Sequence, residues 1–259
     1  DSQKILITSL VPTQLYRLLS NKYGYKWLKL FDLIWVGGAS ISNDILKKCM
    51  KEKINLAPCY GATETAAMIS SLKPKEFLKG NFTSGQILKD IKIRINEKQL
   101  IEIKTERLGK EISKSYKIKS FKDKNGWWES GDIGKIFKIK NNEYLQVLGR
   151  IDNTINSGGE KVFLDPIKER IELFIIKQNL PIQYFKFEKI KDNIWGTRYR
   201  IIIDFKKNIK KTIILSSIEK LNKFSDTFER FEQPSEWIIN NFEEKFIYKY
   251  QKNWKHIIK

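Results

Sequence analysis

The chain has 259 residues, 41% hydrophobic and 31% charged, values that exclude wholesale disorder and allow one large or two smaller domains. Its net charge of +19 comes almost entirely from Lys scattered through every segment, while Arg, the residue suited to bidentate reading of bases and phosphates, is scarce. This pattern argues for a solvated surface rather than nucleic-acid binding. Two cysteines, Cys49 and Cys59, exclude a disulfide framework and read as core residues, and the single His256 makes a His-based triad or zinc site improbable. No signal peptide and no long apolar run is present, so the expectation is a cytoplasmic protein without membrane insertion.

Ile5–Leu10 is a short apolar run, after which Pro12-Thr13 opens a helical pattern through Leu15, Leu18 and Leu19 that closes near Tyr23-Gly24. Phe31–Val36 reads as a buried strand running into Gly37-Gly38-Ala39. Ser42 can cap the next helix, which places Ile45, Leu46, Cys49 and Met50 on one face. Ile54–Ala57 then leads into Tyr60-Gly61-Ala62-Thr63-Glu64. Strand and helix alternate, which predicts an α/β fold with a parallel sheet and covering helices. Ligands bind such sheets at the C-terminal strand ends, where Gly37–Ala39 and Tyr60–Glu64 fall, on loops expected to face one crevice. There an aromatic ring, a hydroxyl and a carboxylate can stack on a flat ligand, donate to an anion and hold Mg²⁺.

From about Gly85 the pattern changes to short alternating strands: Ile91–Ile95 and Leu100–Ile103 around Asn96-Glu97-Lys98, then Gly134–Ile139 and Tyr144–Leu148 around Asn141-Asn142. Between the pairs, Gly126-Trp127-Trp128-Glu129-Ser130-Gly131-Asp132 reads as a glycine-bounded loop holding Asp132, which could accept hydrogen bonds from a sugar diol or be an ordinary turn residue. A domain boundary is placed after Arg150, giving domains 1–150 and 151–259. The second reads as a small α+β unit: a helix from Pro166 carrying Ile167, Ile171, Phe174 and Ile175, strands at Tyr184–Phe187 and Arg200–Phe205, a helix at Ile213–Phe224 and a last strand at Trp237–Ile239. Lys206–Lys211 is expected to be a loop.

In this order the chain resembles the adenylate-forming superfamily of acyl-CoA synthetases, luciferases and peptide-synthetase adenylation domains. Tyr60-Gly61-Ala62-Thr63-Glu64 is similar to that family's Tyr-Gly-x-Thr-Glu signature, and Gly126–Asp132 to its Gly-Trp-aromatic-x-Thr-Gly-Asp block. Gly149-Arg150-Ile151-Asp152 and Ser157-Gly158-Gly159-Glu160 resemble its hinge block. The resemblance implies the C-terminal part of a large adenylation domain followed by a mobile small domain, acting on a carboxylic acid, ATP with Mg²⁺, and coenzyme A. By position it places Gly38, Ala39, Tyr60 and Gly61 around the adenine, Thr63 at the α-phosphate and Glu64 on Mg²⁺. It puts Asp132 and Arg150 on the ribose hydroxyls, makes Asp152 the hinge, and lines the passage for the thiol arm with Gly158 and Gly159.

The family's catalytic Lys, usually preceded by Gly, is matched by Lys255, with Trp254 in place of the Gly and Lys252 as the alternative; Lys255, Thr63 and Glu64 are the implied catalytic set. Ser9–Leu19 and Ser84-Gly85-Gln86 further resemble 2-succinylbenzoate–CoA ligases of menaquinone and phylloquinone synthesis. Another acyl-CoA synthetase, or a non-catalytic adenylate-binding fragment, stays open, and a homodimer is compatible with the reading. The family's Ser/Thr/Gly-rich loop for the β- and γ-phosphates has no counterpart here, so a piece of a longer enzyme is expected.

Overall fold

The structure, a computed structural model, describes residues 4–110, 112–114, 117–120, 122–240, 246–249 and 257–258. It divides into two units, Asp1–Asp152 and Asn153–Lys259. The first opens with β1 (Ile7–Leu10), α1 (Pro12–Leu19), α2 (Lys22–Leu28), β2 (Leu33–Val36), α3 (Asn43–Lys51) and β3 (Leu56–Gly61). The three strands are parallel, with Ile7 opposite Leu33 and Ile34 opposite Leu56. The single helix expected from Pro12 to Gly24 is instead two. Asn21 leaves helical geometry and its side chain accepts a hydrogen bond from the Gly24 amide at 2.6 Å, capping α2. A Cβ on Gly24 would lie 2.7 Å from the Leu18 carbonyl oxygen, so glycine is what lets α2 turn closely against the end of α1. Ser42 caps α3, which buries Ile45, Leu46 and Cys49. Burial pushes the Cys49 thiol up to about 12, so it behaves as an inert core side chain.

The unit continues with β4 (Met68–Ser71), α4 (Pro74–Phe77), β5 (Gln86–Ile87), β6 (Lys92–Ile95), β7 (Leu100–Lys104), β8 (Ile112–Lys114), β9 (Lys117–Lys119), β10 (Trp128–Ile139) and β11 (Asn142–Arg150). The parallel strands and the β-rich part are one mixed sheet: among the described residues nine strands run β1-β2-β3-β4-β5-β11-β10-β7-β6. The direction changes at β4, which runs antiparallel to β3 with Tyr60 opposite Ser70. Ile69, Ile101, Ile103, Trp128 and Leu145 form the core beneath the antiparallel strands.

The second unit starts with β12 (Thr154–Ser157) and β13 (Glu160–Phe163), joined by Gly158-Gly159. Both glycines have positive φ, 60° and 88°, as a two-residue hairpin turn of the type favoured by right-handed strand twist requires. Next come α5 (Leu164–Lys177), β14 (Ile182–Asp192), β15 (Gly196–Phe205), α6 (Lys211–Ser225) and β16 (Glu236–Ile239). The strand expected to be last is followed by β17 (Phe246–Lys249) and β18 (Ile257–Ile258), which extend the sheet beyond β16. α5 starts two residues before Pro166, and Lys211 is already helical rather than part of the Lys-rich loop. α5 and α6 bury Ile171, Ile218 and Leu221 against Ile201, Ile203 and Trp237, and the Phe174 and Phe224 rings stack at 4.2 Å. No helix among the described residues is long and apolar enough to cross a membrane.

Asn222 is 2% exposed on α6, and neither its amide nitrogen nor its amide oxygen has a hydrogen-bond partner. A buried amide left unbonded costs about 1–3 kcal/mol. Asn222→Leu is therefore expected to stabilise this unit by about 1 kcal/mol or more, raising the calorimetric midpoint by roughly 5 °C. A lower midpoint would mean that the amide is satisfied or that the site does not admit the larger side chain.

Candidate functional site

Asp132 lies in the middle of β10, not in a loop as its flanking glycines suggest. Gly131 takes φ +74° and the β10–β11 register shifts between Ile133 and Gly134, so the strand bulges beside the aspartate instead of ending there. On β11, Arg150 is its cross-strand partner. Its guanidinium Nη1 lies 3.4 Å from Asp132 Oδ1, and Nη2 lies 3.7 Å from Asp152 Oδ2. A Cβ on Gly131 would sit 3.0 Å from Arg150 Nη2, so glycine keeps room for the guanidinium.

The other carboxylate oxygen faces β3. The Tyr60 hydroxyl donates to Asp132 Oδ2 at 2.5 Å. In strand order β3 and β10 stand four steps apart. In a flat sheet that separation would be about 19 Å, so coiling of the sheet around its core brings the two side chains into contact. Burial pushes the Tyr60 hydroxyl well above its ordinary value and the Asp132 charge pushes it further, so it is a protonated donor at neutral pH. Beneath the carboxylate, Ser130 Oγ accepts from the Asp132 amide at 3.1 Å and donates to the Ile101 carbonyl at 3.0 Å. Ser130, quoted from the sequence only as part of a motif, is thus a buried brace for Asp132; a hydroxyl two residues before an acid on one strand is the signal that could have found it.

Tyr60 and Gly61 are strand residues of β3 rather than loop residues, because β4 pairs with them. A Cβ on Gly61 would lie 2.5 Å from the Ala67 carbonyl oxygen, which excludes any larger residue there. Thr63 and Glu64 follow on the single 3-10 turn Thr63–Thr65, with Thr63 exposed and the Glu64 side chain half-buried. The Glu64 carbonyl accepts from the Gly109 amide at 3.1 Å, and Thr65 Oγ1 accepts from the Ala62 amide at 3.0 Å, holding the turn in place. Gly37 packs on β3: a Cβ there would be 2.9 Å from both the carbonyl oxygen and Sγ of Cys59, so the turn carrying Gly38 and Ala39 leaves β2 beside the residue preceding Tyr60. The first unit therefore joins Tyr60, Asp132 and Arg150 by direct contact, with Asp152 beyond Arg150. Gly158 and Gly159 form the β12–β13 turn of the second unit, where the Gly158 amide donates to the Trp195 carbonyl at 2.8 Å. Lys252 and Lys255 lie outside the described residues.

No group of three or more His, Cys, Asp or Glu side chains gathers among the described residues. A single carboxylate such as that of Glu64 is compatible with Mg²⁺, which commonly takes one or two carboxylates and completes its shell with substrate phosphates and water. A nearly buried carboxylate with both oxygens oriented and an Arg alongside suits a vicinal diol, and the adjoining glycine turn and tyrosine ring suit a flat base.

No family model matches the chain. Curated relatives do. A 2-succinylbenzoate–CoA ligase of Listeria monocytogenes is 28% identical over 182 residues, covering 70% of this chain and 38% of the relative. That of Listeria innocua is 31% identical over 177 residues, covering 66% and 36%, and that of Escherichia coli 25% identical over 231 residues, covering 89% and 45%. The chain is thus similar to part of these ligases. It spans less than half the length of these ligases. Solved structures share the fold: o-succinylbenzoate CoA synthetase (MenE) of Bacillus subtilis, in complex with the acyl-adenylate intermediate OSB-AMP, superposes with TM-score 0.62 at 19% identity, over 91% of this chain and 47% of that one. The same enzyme in complex with ATP and magnesium ion gives TM-score 0.58 at 18% identity, over 92% and 49%.

Proposed function

We propose that this chain carries the ribose- and adenine-binding face and the C-terminal domain of an ATP-dependent acid–CoA ligase, with 2-succinylbenzoate as the acid. The observation that carries the reading is the Asp132 carboxylate held between the Tyr60 hydroxyl and the Arg150 guanidinium. Such a group accepts from both hydroxyls of a ribose. The adenine would lie by Gly38, Ala39, Tyr60 and Gly61, which directs the phosphates toward Thr63 and Glu64.

In the reaction proposed, a carboxylate oxygen of the acid attacks the α-phosphorus of ATP, the bond to pyrophosphate breaks, and an acyl-adenylate forms. The thiol sulfur of coenzyme A then attacks the acyl carbon and AMP leaves with the bonding electron pair, while the thiol proton passes to solvent. Thr63 would donate to the α-phosphate. Mg²⁺ on Glu64 would offset the charge that gathers when a carboxylate approaches a triphosphate. Lys255 is assigned to the first step, between carboxylate and phosphate, and Lys252 is the alternative. Asp152 would be the hinge that withdraws the second unit before the thiol enters past Gly158 and Gly159. The substrates are small molecules, and the setting proposed is cytoplasmic, with a homodimer as the assembly.

The test has two parts. Calorimetric titration of this chain with AMP is expected to show binding. Pyrophosphate release by the full-length polypeptide with ATP and Mg²⁺ is expected with 2-succinylbenzoate and to be lost in Lys255→Ala, a loss on the order of 10²-fold or more. Release with a different acid from a panel would replace the substrate. A second reading, adenylate binding without turnover, is separated by the same measurements; AMP binding with no release from any acid would favour it.

A further inference from the structure

Resting on the nucleotide-site reading above, we infer that the Tyr60 hydroxyl, as distinct from its ring, is a positioning group that sets selectivity for an intact ribose diol by orienting the Asp132 carboxylate. A vicinal diol is recognised well only when both carboxylate oxygens face it, and the rotation that controls this is broad and roughly two-fold for an aspartate. The backbone of Asp132 is pinned through Ser130 to Ile101, bonds that do not themselves hold the carboxylate. Arg150 Nη1 lies 3.4 Å from Oδ1, on a guanidinium that is half exposed. The part-buried bond from Tyr60 to Oδ2 at 2.5 Å is a short constraint on that rotation. Each carboxylate oxygen has two lone pairs, so Oδ2 can keep the tyrosine while accepting one ribose hydroxyl, and Oδ1 can accept the other. The Tyr60 hydroxyl stays protonated because of its burial, so the constraint persists across the neutral range.

The experiment compares AMP with 2′,3′-dideoxy-AMP by calorimetric titration of the chain and of Tyr60→Phe, which keeps the aromatic face and removes the hydroxyl. The original chain is expected to prefer AMP. In Tyr60→Phe the affinity for AMP is expected to fall about tenfold, with dideoxy-AMP unchanged, so that the preference shrinks by the same factor. An equal loss for both ligands, or no loss for either, overturns the inference and leaves the nucleotide reading intact. Failure of the original chain to bind AMP overturns both. Should Tyr60→Phe not fold, ¹³C-labelled tyrosine in the original chain supplies the same decision: the Tyr60 Cζ resonance is expected to move further with AMP than with dideoxy-AMP, whose adenine also meets the ring, and identical shifts refute the inference.

Discussion

Gly85→Ala is expected to lower the melting midpoint of the first unit by about 10 °C or more, or to abolish its cooperative transition. Gly85 takes φ +101°, and a Cβ there would lie 2.1 Å from the Ser71 carbonyl carbon and 2.2 Å from the Leu72 nitrogen. Those are backbone atoms, and Leu72 N is held by a 2.8 Å bond to the Pro58 carbonyl, while the Gly85 carbonyl accepts from Leu145 N at 2.9 Å. Relief would require separating β4 from β3 or β11 from its neighbour. Strained backbone at positive φ costs about 1–3 kcal/mol and an overpacked contact about as much again, so roughly 4 kcal/mol is expected. Gly80→Ala is the control: φ is +89°, yet the nearest atom to its Cβ would be Met50 Sδ at 3.9 Å. It carries only the cost of placing an L-residue at positive φ, about 1–2 kcal/mol. Differential scanning calorimetry of both variants decides, and similar midpoints would refute the close approach at Gly85.

Asp132→Asn is expected to lower AMP affinity by about 100-fold while moving the melting midpoint by no more than roughly 2 °C. Hydrogen bonds to an ionised acceptor contribute about 1.5–3 kcal/mol each and neutral ones about 0.5–1.5, so two ribose hydroxyls together lose roughly 2–3 kcal/mol. Stability is spared because the asparagine oxygen can still accept from the Tyr60 hydroxyl. The ion pair with Arg150 is long and its guanidinium half exposed, and such pairs contribute little. Titration calorimetry and thermal melting on the same samples separate the effects. A large fall in midpoint with unchanged affinity would make Asp132 a structural residue.

Strand and helix alternation, the Ser42 cap and the helical faces of α3 and α5 were legible in the sequence because each depends on neighbours within a turn or two. Asn21 was not read as a cap, since the apolar pattern continues past it and only the backbone geometry reveals a second helix. Asp132 was read as a loop residue because glycines on either side usually mark turns, whereas here Gly131 makes a bulge inside a strand already paired on both sides. The catalytic lysine assignment rests on sequence alone, because Lys252 and Lys255 lie outside the described residues.

By itself the sequence determined the types of side chain available and their order along the chain: tyrosine, hydroxyl and acid after an apolar strand, an aspartate after a glycine-aromatic block, and an arginine eighteen residues later. Those are local facts, set by composition and spacing. Only the tertiary structure decided that Tyr60 and Asp132, 72 residues apart, meet through a hydrogen bond. Strand order, register and sheet coiling are properties of long-range pairing, and the same local pattern is compatible with many pairings until the Ile69, Ile101 and Leu145 core selects one.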